Sequence, residues 1–287
     1  MTSPRTGKRV LVALVFLSLL YAALCLVARL TYPRALFPAP ALAAAPAEVT
    51  RLVAEGRAEL WSLPQPDGRV TPALFLPPAA KDGRVVVMLH GNGETMFDRL
   101  PLAEGLREGG MGALLVEYRG YGLAHGPPPA EVDLYDDAAR ALDELEARGI
   151  GRARTAVWGT SLGTAPAAEM ARRGRAASLV LVTPFTSIVA LAGRIAPFLP
   201  VRLLMAHRFD TLAKAGEIRC PTLVVHGDAD EIVPFDMGAT VAGAIRGAEL
   251  VRVPGGHHND LFADRTGTPD ARALFARIAR HLARPDS

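Results

Sequence analysis

A hydroxyl, a carboxylate and an imidazole stand in this 287-residue sequence where acyl transfer would need them. The hydroxyl is Ser161, in Gly159-Thr160-Ser161-Leu162-Gly163, which follows the strand-like run Thr155-Ala156-Val157-Trp158 and opens a helical stretch from Ser161 to Arg173. A serine on so sharp a strand-to-helix turn sits in a strained backbone conformation, and glycines two residues away on either side avoid collisions. At neutral pH a serine attacks a carbonyl when an imidazole takes its proton and an acid holds that imidazole in the right tautomer. The run Thr222 to His226 ends in a polar loop that offers Asp228 and Asp230, and the run Glu249 to Val253 stops at Pro254-Gly255-Gly256 before His257 and His258. Only a four-residue spacing from His226 favours Asp230 over Asp228, and His257 competes with His258 in the same way.

Ordered matches beyond the serine motif carry a resemblance. They are Leu89-His90-Gly91-Asn92-Gly93-Glu94, Glu117-Tyr118-Arg119-Gly120-Tyr121-Gly122, the Ser161 pentapeptide, Thr183-Pro184-Phe185-Thr186-Ser187, His226-Gly227-x-x-Asp230-x-x-Val233-Pro234 and Gly256-x-His258-Asn259-Asp260. Together these residues resemble the α/β-hydrolase superfamily, in particular its N-terminally membrane-anchored members with a small lid. Mapped onto the family pattern, in which the acid and then the histidine follow the serine, Ser161 looks like the nucleophile and Asp230 like the acid. His258, directly before an asparagine as the pattern has it, looks like the base. The oxyanion of a tetrahedral intermediate needs two amide donors. Leu162, next to the nucleophile and near the positive end of its helix, is expected to supply one; the resemblance implies Asn92 for the other. Pro166 departs from the pattern, because its missing N–H removes a hydrogen bond to the Leu162 carbonyl unless the helix starts irregularly.

Other polar residues read structurally. His90 and His226 end apolar runs and precede glycine, which suits strand-end hydrogen bonds, whereas His125, His207 and His281 lack a partner pattern. Arg119, with its several donors, is expected to tie loops together, and Tyr121 at most to border the pocket. Asp133, Asp136 and Asp137 suit the first turn of a helix over 134–148. Metal-ligand spacing and phosphate-binding glycine loops are absent from the sequence, so no cofactor is implied.

The catalytic unit is preceded by Val10 to Ala28, 19 residues without a charge, long enough at helical rise to cross roughly 30 Å of hydrocarbon. Basic residues flank it, and the bias weakly favours a cytoplasmic N-terminus with the hydrolase facing outward. A cleaved signal peptide is the competing reading; the long apolar run and the distant small-residue site weigh against it. Five Lys or Arg and no acid fall in residues 1–34, so subtracting that +5 from the whole-chain +3 leaves the remainder at −2. Nucleic acid is therefore not an expected partner, and no obligate protein partner is implied. Cys25 and Cys220 are not expected to pair.

The predicted organisation is a cytoplasmic N-terminus (1–9), a transmembrane helix (10–28), a Pro/Ala-rich linker (29–48) and one catalytic domain (49–287) with a lid region at 184–220. Apolar runs at 70–76, 85–89, 112–117, 155–158, 178–183, 221–226 and 248–253 read as strands alternating with helices. That order predicts a mostly parallel sheet covered on both faces, with antiparallel pairing open to the first strands; the resemblance implies an α/β-hydrolase fold with a sheet of the eight-stranded type. The site is then expected at the carboxyl ends of the strands. Ile188, Leu191, Ile195, Phe198, Leu199, Leu203, Leu204 and Met205 make the lid region apolar; core burial explains them equally well. If they line a pocket, Phe198→Ala is expected to alter acyl chain-length selectivity more than stability. The expected activity is hydrolysis of small or lipid-like esters or thioesters through an acyl-enzyme, with a peptidase or amidase, or a non-catalytic membrane-tethered binder, as alternatives.

Overall fold

Runs of β-branched and aliphatic residues too short for helices form the strands of a central sheet. In the computed structural model, which describes residues 4–80, 82–263 and 271–284, they are β1 (Glu59–Pro64), β2 (Val70–Leu76), β3 (Val85–Leu89), β4 (Gly112–Val116), β5 (Thr155–Thr160), β6 (Ser178–Val182), β7 (Thr222–Gly227) and β8 (Glu249–Val253). The spatial order is β1-β2-β4-β3-β5-β6-β7-β8. Only the β1–β2 and β2–β4 pairs are antiparallel; all others are parallel. β1 is the strand that sequence reading passes over. At the sheet edge it buries one face, Trp61 and Leu63, and leaves Glu59, Leu60 and Ser62 exposed, so it lacks the continuous apolar run of the inner strands. Residues 1–3 of the expected N-terminal segment, and 264–270 and 285–287 of the expected catalytic domain, lie outside the described residues.

The alternation of side chains along each strand sorts the core into two layers. Val85, Val87 and Leu89 pack with α4 (Glu131–Ala147), α5 (Thr164–Arg172), α8 (Thr211–Ala215) and α9 (Phe235–Ala244). Val86 and Met88 pack with α2 (Ala47–Ala54), α3 (Leu100–Glu108) and α10 (Ala271–Leu282). Arg119 ties loops together as its donors suggest: its Nε donates to Asp137 at 2.8 Å, Nη1 to Asp67 at 3.0 Å and Nη2 to the Asp133 carbonyl at 2.8 Å. Asp133 takes the expected first-turn place, accepting from the Ala130 amide at 2.8 Å.

Two boundaries differ from expectation. The N-terminal helix α1 runs from Pro4 to Leu36, through Arg29 and Pro33, so 29–36 is helix rather than linker. Thereafter the chain is docked: Phe37 is buried, and Pro40 and Leu42 exchange backbone hydrogen bonds with Gly122. In the 184–220 segment only α6 (Ile188–Ile195) and α7 (Val201–Leu204) overhang the strand ends. α8 belongs to the body, with Ala215 and Ile218 in the core and Lys214 reaching Glu169 of α5 at 3.5 Å.

Burial alone would raise the Glu169 carboxyl, yet Arg172 and Arg173, each at 2.8 Å, together with Lys214 hold it down, to about 2. A lowered folded value means that the unfolded chain takes up the proton first. Stability is thus complete above the unfolded value, about 4.3, and is lost as pH falls from there toward 2. Glu169→Gln is expected to flatten this acid limb, which urea denaturation from pH 6 to 3 would measure.

Candidate active site

The end of β5 and the start of α5 are pressed against neighbouring backbone so closely that side chains are excluded. A Cβ at Gly163 would lie 2.2 Å from the Leu89 carbonyl oxygen, and one at Gly159 2.3 Å from the Gly163 carbonyl oxygen. Between them Ser161 takes φ 49°, a left-handed conformation rare for a non-glycine residue. The difficulty raised by Pro166 is resolved by an irregular start. Ser161–Gly163 forms a 3-10 turn, α5 begins at Thr164, and Pro166 lies in its first turn, where a missing N–H costs little.

The four predicted regions meet above the carboxyl ends of β3, β5, β7 and β8. Ser161 Oγ lies 3.0 Å from His258 Nε2, and His258 Nδ1 lies 2.8 Å from Asp230 Oδ2. A carboxylate only accepts, so Nδ1 carries the proton and Nε2 presents its lone pair to the serine hydroxyl. Asp230 is buried and fully engaged: Oδ1 accepts from the amides of Ile232 at 2.9 Å and Val233 at 2.8 Å, and His226 Nε2 stands 3.2 Å from Oδ2. Burial pushes this carboxyl up, but the hydrogen bonds from His226, His258 and the Val233 amide outweigh it and hold the group well below the usual carboxylate range.

The rival residues are occupied elsewhere. Asp228 accepts from Gly255 N at 2.7 Å and Arg252 Nε at 2.9 Å, pinning the turn after β8. His257 is exposed and pairs with Glu231 at 3.0 Å.

Leu162 is the second residue of the 3-10 turn, so its N–H precedes any carbonyl of that helix able to accept it. The loop after β3 comes against the same serine: a Cβ at Gly91 would stand 3.5 Å from Ser161 Cβ. Several side chains fix that loop. Glu94 accepts from Gly91 N at 2.8 Å and pairs with Arg99; Tyr118 Oη donates to the His90 carbonyl at 3.1 Å. Asn92 accepts from Tyr121 Oη at 2.7 Å and donates through Nδ2 to the Leu36 carbonyl of α1 at 2.6 Å. Tyr121 is thus a buried strut for Asn92 rather than a residue at the pocket border.

A cavity of about 860 Å³, within the range of ligand sites, opens beside Ser161 and His258. Its walls are mainly apolar: Ile188, Leu191, Ala192, Ile195 and Leu199 around α6, Leu204 and Met205 around α7, and Ala28, Tyr32, Ala35 and Leu36 from α1. Phe198 is not among the lining residues, and its side chain is 65% exposed, so the condition attached to Phe198→Ala does not hold for that residue. Among the described residues no group of three or more His, Cys, Asp or Glu side chains is arranged to hold a metal ion.

Sequence reading missed the supports of Asp230. His226 Nε2 faces the Val233 carbonyl at 2.8 Å as well as Asp230, both of them acceptors, so it carries a proton, and a Cβ at Gly238 would come within 2.0 Å of Nδ1. The strands that lead to Asp230 and His258 are equally tight, since a Cβ at Gly227 would lie 2.1 Å from the Gly256 carbonyl oxygen. Gly227→Ala is expected to destabilise the protein by about 1–3 kcal/mol through overpacking. Gly243→Ala, in α9 with open space around it, is expected to stabilise it by about 0.5–1 kcal/mol. Chemical denaturation of both variants checks the contrast.

Known proteins share this architecture. A sequence model described as the alpha/beta hydrolase family matches residues 86–216. The chain is 35% identical over 202 residues to an uncharacterized protein of Mycobacterium tuberculosis, covering 70% of each. It is 32% identical over 148 residues to alpha/beta hydrolase domain-containing protein 17C of Homo sapiens, covering 50% of this chain and 43% of that one. In fold it is similar to an esterase of Pyrococcus furiosus, with TM-score 0.66 at 15% identity over 85% of this chain and 95% of the other. A cold-adapted esterase from an Arctic intertidal metagenomic library gives TM-score 0.58 at 20% identity, over 80% and 94%. By sequence and by fold, the chain belongs to the alpha/beta hydrolase family.

Proposed function

We propose that this protein is a membrane-anchored serine hydrolase that cleaves carboxylic esters or thioesters by way of an acyl-enzyme. The observation that carries this reading is the continuous hydrogen-bonded line Ser161–His258–Asp230 at the mouth of an apolar cavity. As Ser161 Oγ attacks the carbonyl carbon, its proton passes to His258 Nε2, and Asp230 stabilises the imidazolium. The amides of Leu162 and Asn92 hold the oxyanion. Collapse of the intermediate breaks the bond to the leaving alkoxide or thiolate, which takes the proton from His258. Water then repeats the sequence on the acyl-enzyme and releases the acid, restoring the Ser161 hydroxyl.

The apolar walls favour an acyl group over a charged one, and the overhanging α6 and α7 serve as the lid. The esterases among the structural neighbours share the fold and agree with such a substrate class. Anchoring rests on α1, whose Lys8–Leu36 portion is long and apolar enough to cross a membrane and has its most apolar stretch unburied. Basic residues before that stretch favour a cytoplasmic N-terminus and an extracytoplasmic hydrolase.

A fluorophosphonate probe is expected to label the wild type and not Ser161→Ala; labelling of both, or of neither, would overturn the assignment of the nucleophile. Asp230→Asn is expected to lower kcat by about 10³–10⁴, because His258 loses the partner that sets its tautomer. Ala192→Phe, which fills the cavity wall, is expected to lower the ratio of kcat/KM for a dodecanoyl ester to that for a butyryl ester at least tenfold, as read from a p-nitrophenyl ester series.

A further inference from the structure

The outer part of the lid lies along the anchor helix. Tyr21 Oη donates to the Phe198 carbonyl at 2.9 Å, and Tyr32 Oη accepts from the Ala206 amide at 2.9 Å. Residues 198–206 therefore follow α1 over the eleven residues from Tyr21 to Tyr32, about 16 Å at helical rise. Tyr21 lies seven residues before Ala28, where the charge-free run ends, and so about 10 Å inside it. If α1 crosses a bilayer, Phe198 is held at the depth of acyl chains, not in water.

The side chains of this region suit that depth. Ile195 is 72% exposed, Phe198 65% and Leu203 83%, a cluster of large apolar groups that water would penalise. It is continuous with the bare apolar surface of α1, where Leu26 and Leu30 are also exposed. The cavity is bounded by both elements, by Ala28 and Tyr32 from α1 and by Ile195 and Leu199 from the lid. The seam between them is thus a wall of the acyl site and a surface at the level of the leaflet.

We propose that the lid tip between α6 and α7 is immersed in the leaflet that holds the outer end of α1, and that the cavity takes a long-chain acyl ester directly from that leaflet through the seam between α1 and the lid. This rests on the membrane-anchored hydrolase reading, and it adds a substrate class, membrane-resident lipid esters, and an entry route. Burying three large apolar side chains in hydrocarbon is favourable, and an ester drawn sideways need not expose its chain to water.

The full chain reconstituted in phosphatidylcholine vesicles tests the immersion without reference to catalysis. The native tryptophans, Trp61 and Trp158, are buried in the sheet, so Phe198→Trp adds a separable signal. That added fluorescence is expected to fall at least twofold in vesicles of phosphatidylcholine brominated on its acyl chains; no fall would overturn immersion. The entry route is tested with Phe198→Ser/Leu203→Ser, neither residue lining the cavity. The double variant is expected to lose at least tenfold in kcat/KM on a long-chain ester embedded in vesicles while staying within twofold of wild type on a water-soluble butyrate ester. Equal loss on both substrates, or loss on neither, would overturn the route. A wild type inert toward both esters would sink the hydrolase reading, and with it the route, while the quenching result would still decide immersion.

Discussion

The tight crossing of the α5 start over the ends of β3 and β5 is the constraint on which the rest depends. Gly163 lies against the carbonyls of Leu89 and His90, and Gly159 against that of Gly163, so the chain has no freedom to relax at Ser161. The left-handed backbone there is a cost of the order of 1–3 kcal/mol, borne by a fully packed sheet. In return the hydroxyl projects above the strand ends, where loops from β3, β7 and β8 can reach it. The same crowding recurs at Gly227 against Gly256, so Asp230 and His258 ride on strand ends that cannot drift apart independently. Preorganisation at this site is a property of backbone contacts before it is one of side chains.

Charge is handled by the same economy. Asp230 is removed from water but satisfied on both oxygens, by two amides on one side and two imidazoles on the other. A carboxylate so engaged stays ionised and stationary, and it passes its orientation to His258. His226 is braced by Gly238 and by the Val233 carbonyl, so even the support of the acid is supported. Asp228 and His257, the near duplicates in sequence, are held by Arg252, Gly255 and Glu231, at the turn and surface rather than at the serine.

What the sequence revealed follows from how local the governing physics is. The six inner strands are largely buried and read as apolar runs, and edge strand β8 keeps enough of such a run, Leu250, Val251 and Val253, to be placed with them; edge strand β1, which buries only Trp61 and Leu63, does not. The serine turn announces itself because its glycines are sterically obligatory. The choice between Asp228 and Asp230 depends on how the β7 loop folds back beneath His226, a tertiary matter that spacing only hints at. The end of α1 was misjudged for a related reason. Arg29 and Pro33 signal a boundary locally, yet contacts of Tyr32 and Leu36 with residues 206 and 92 accompany a helix that continues past them. Whether Phe198 lines a pocket or packs in the core was open in the sequence, because composition gives apolarity but not surroundings; its side chain does neither.

The hydrogen bond from Asn92 to the Leu36 carbonyl joins the loop beside Ser161 to the last turn of α1. Helix α1 is therefore a structural part of the site. Without α1 the cavity would lack the wall formed by Ala28, Tyr32, Ala35 and Leu36, and the Asn92 loop its outer brace. The shape of the cavity beside Ser161 is thus set jointly by the N-terminal helix and by the sheet that carries the serine.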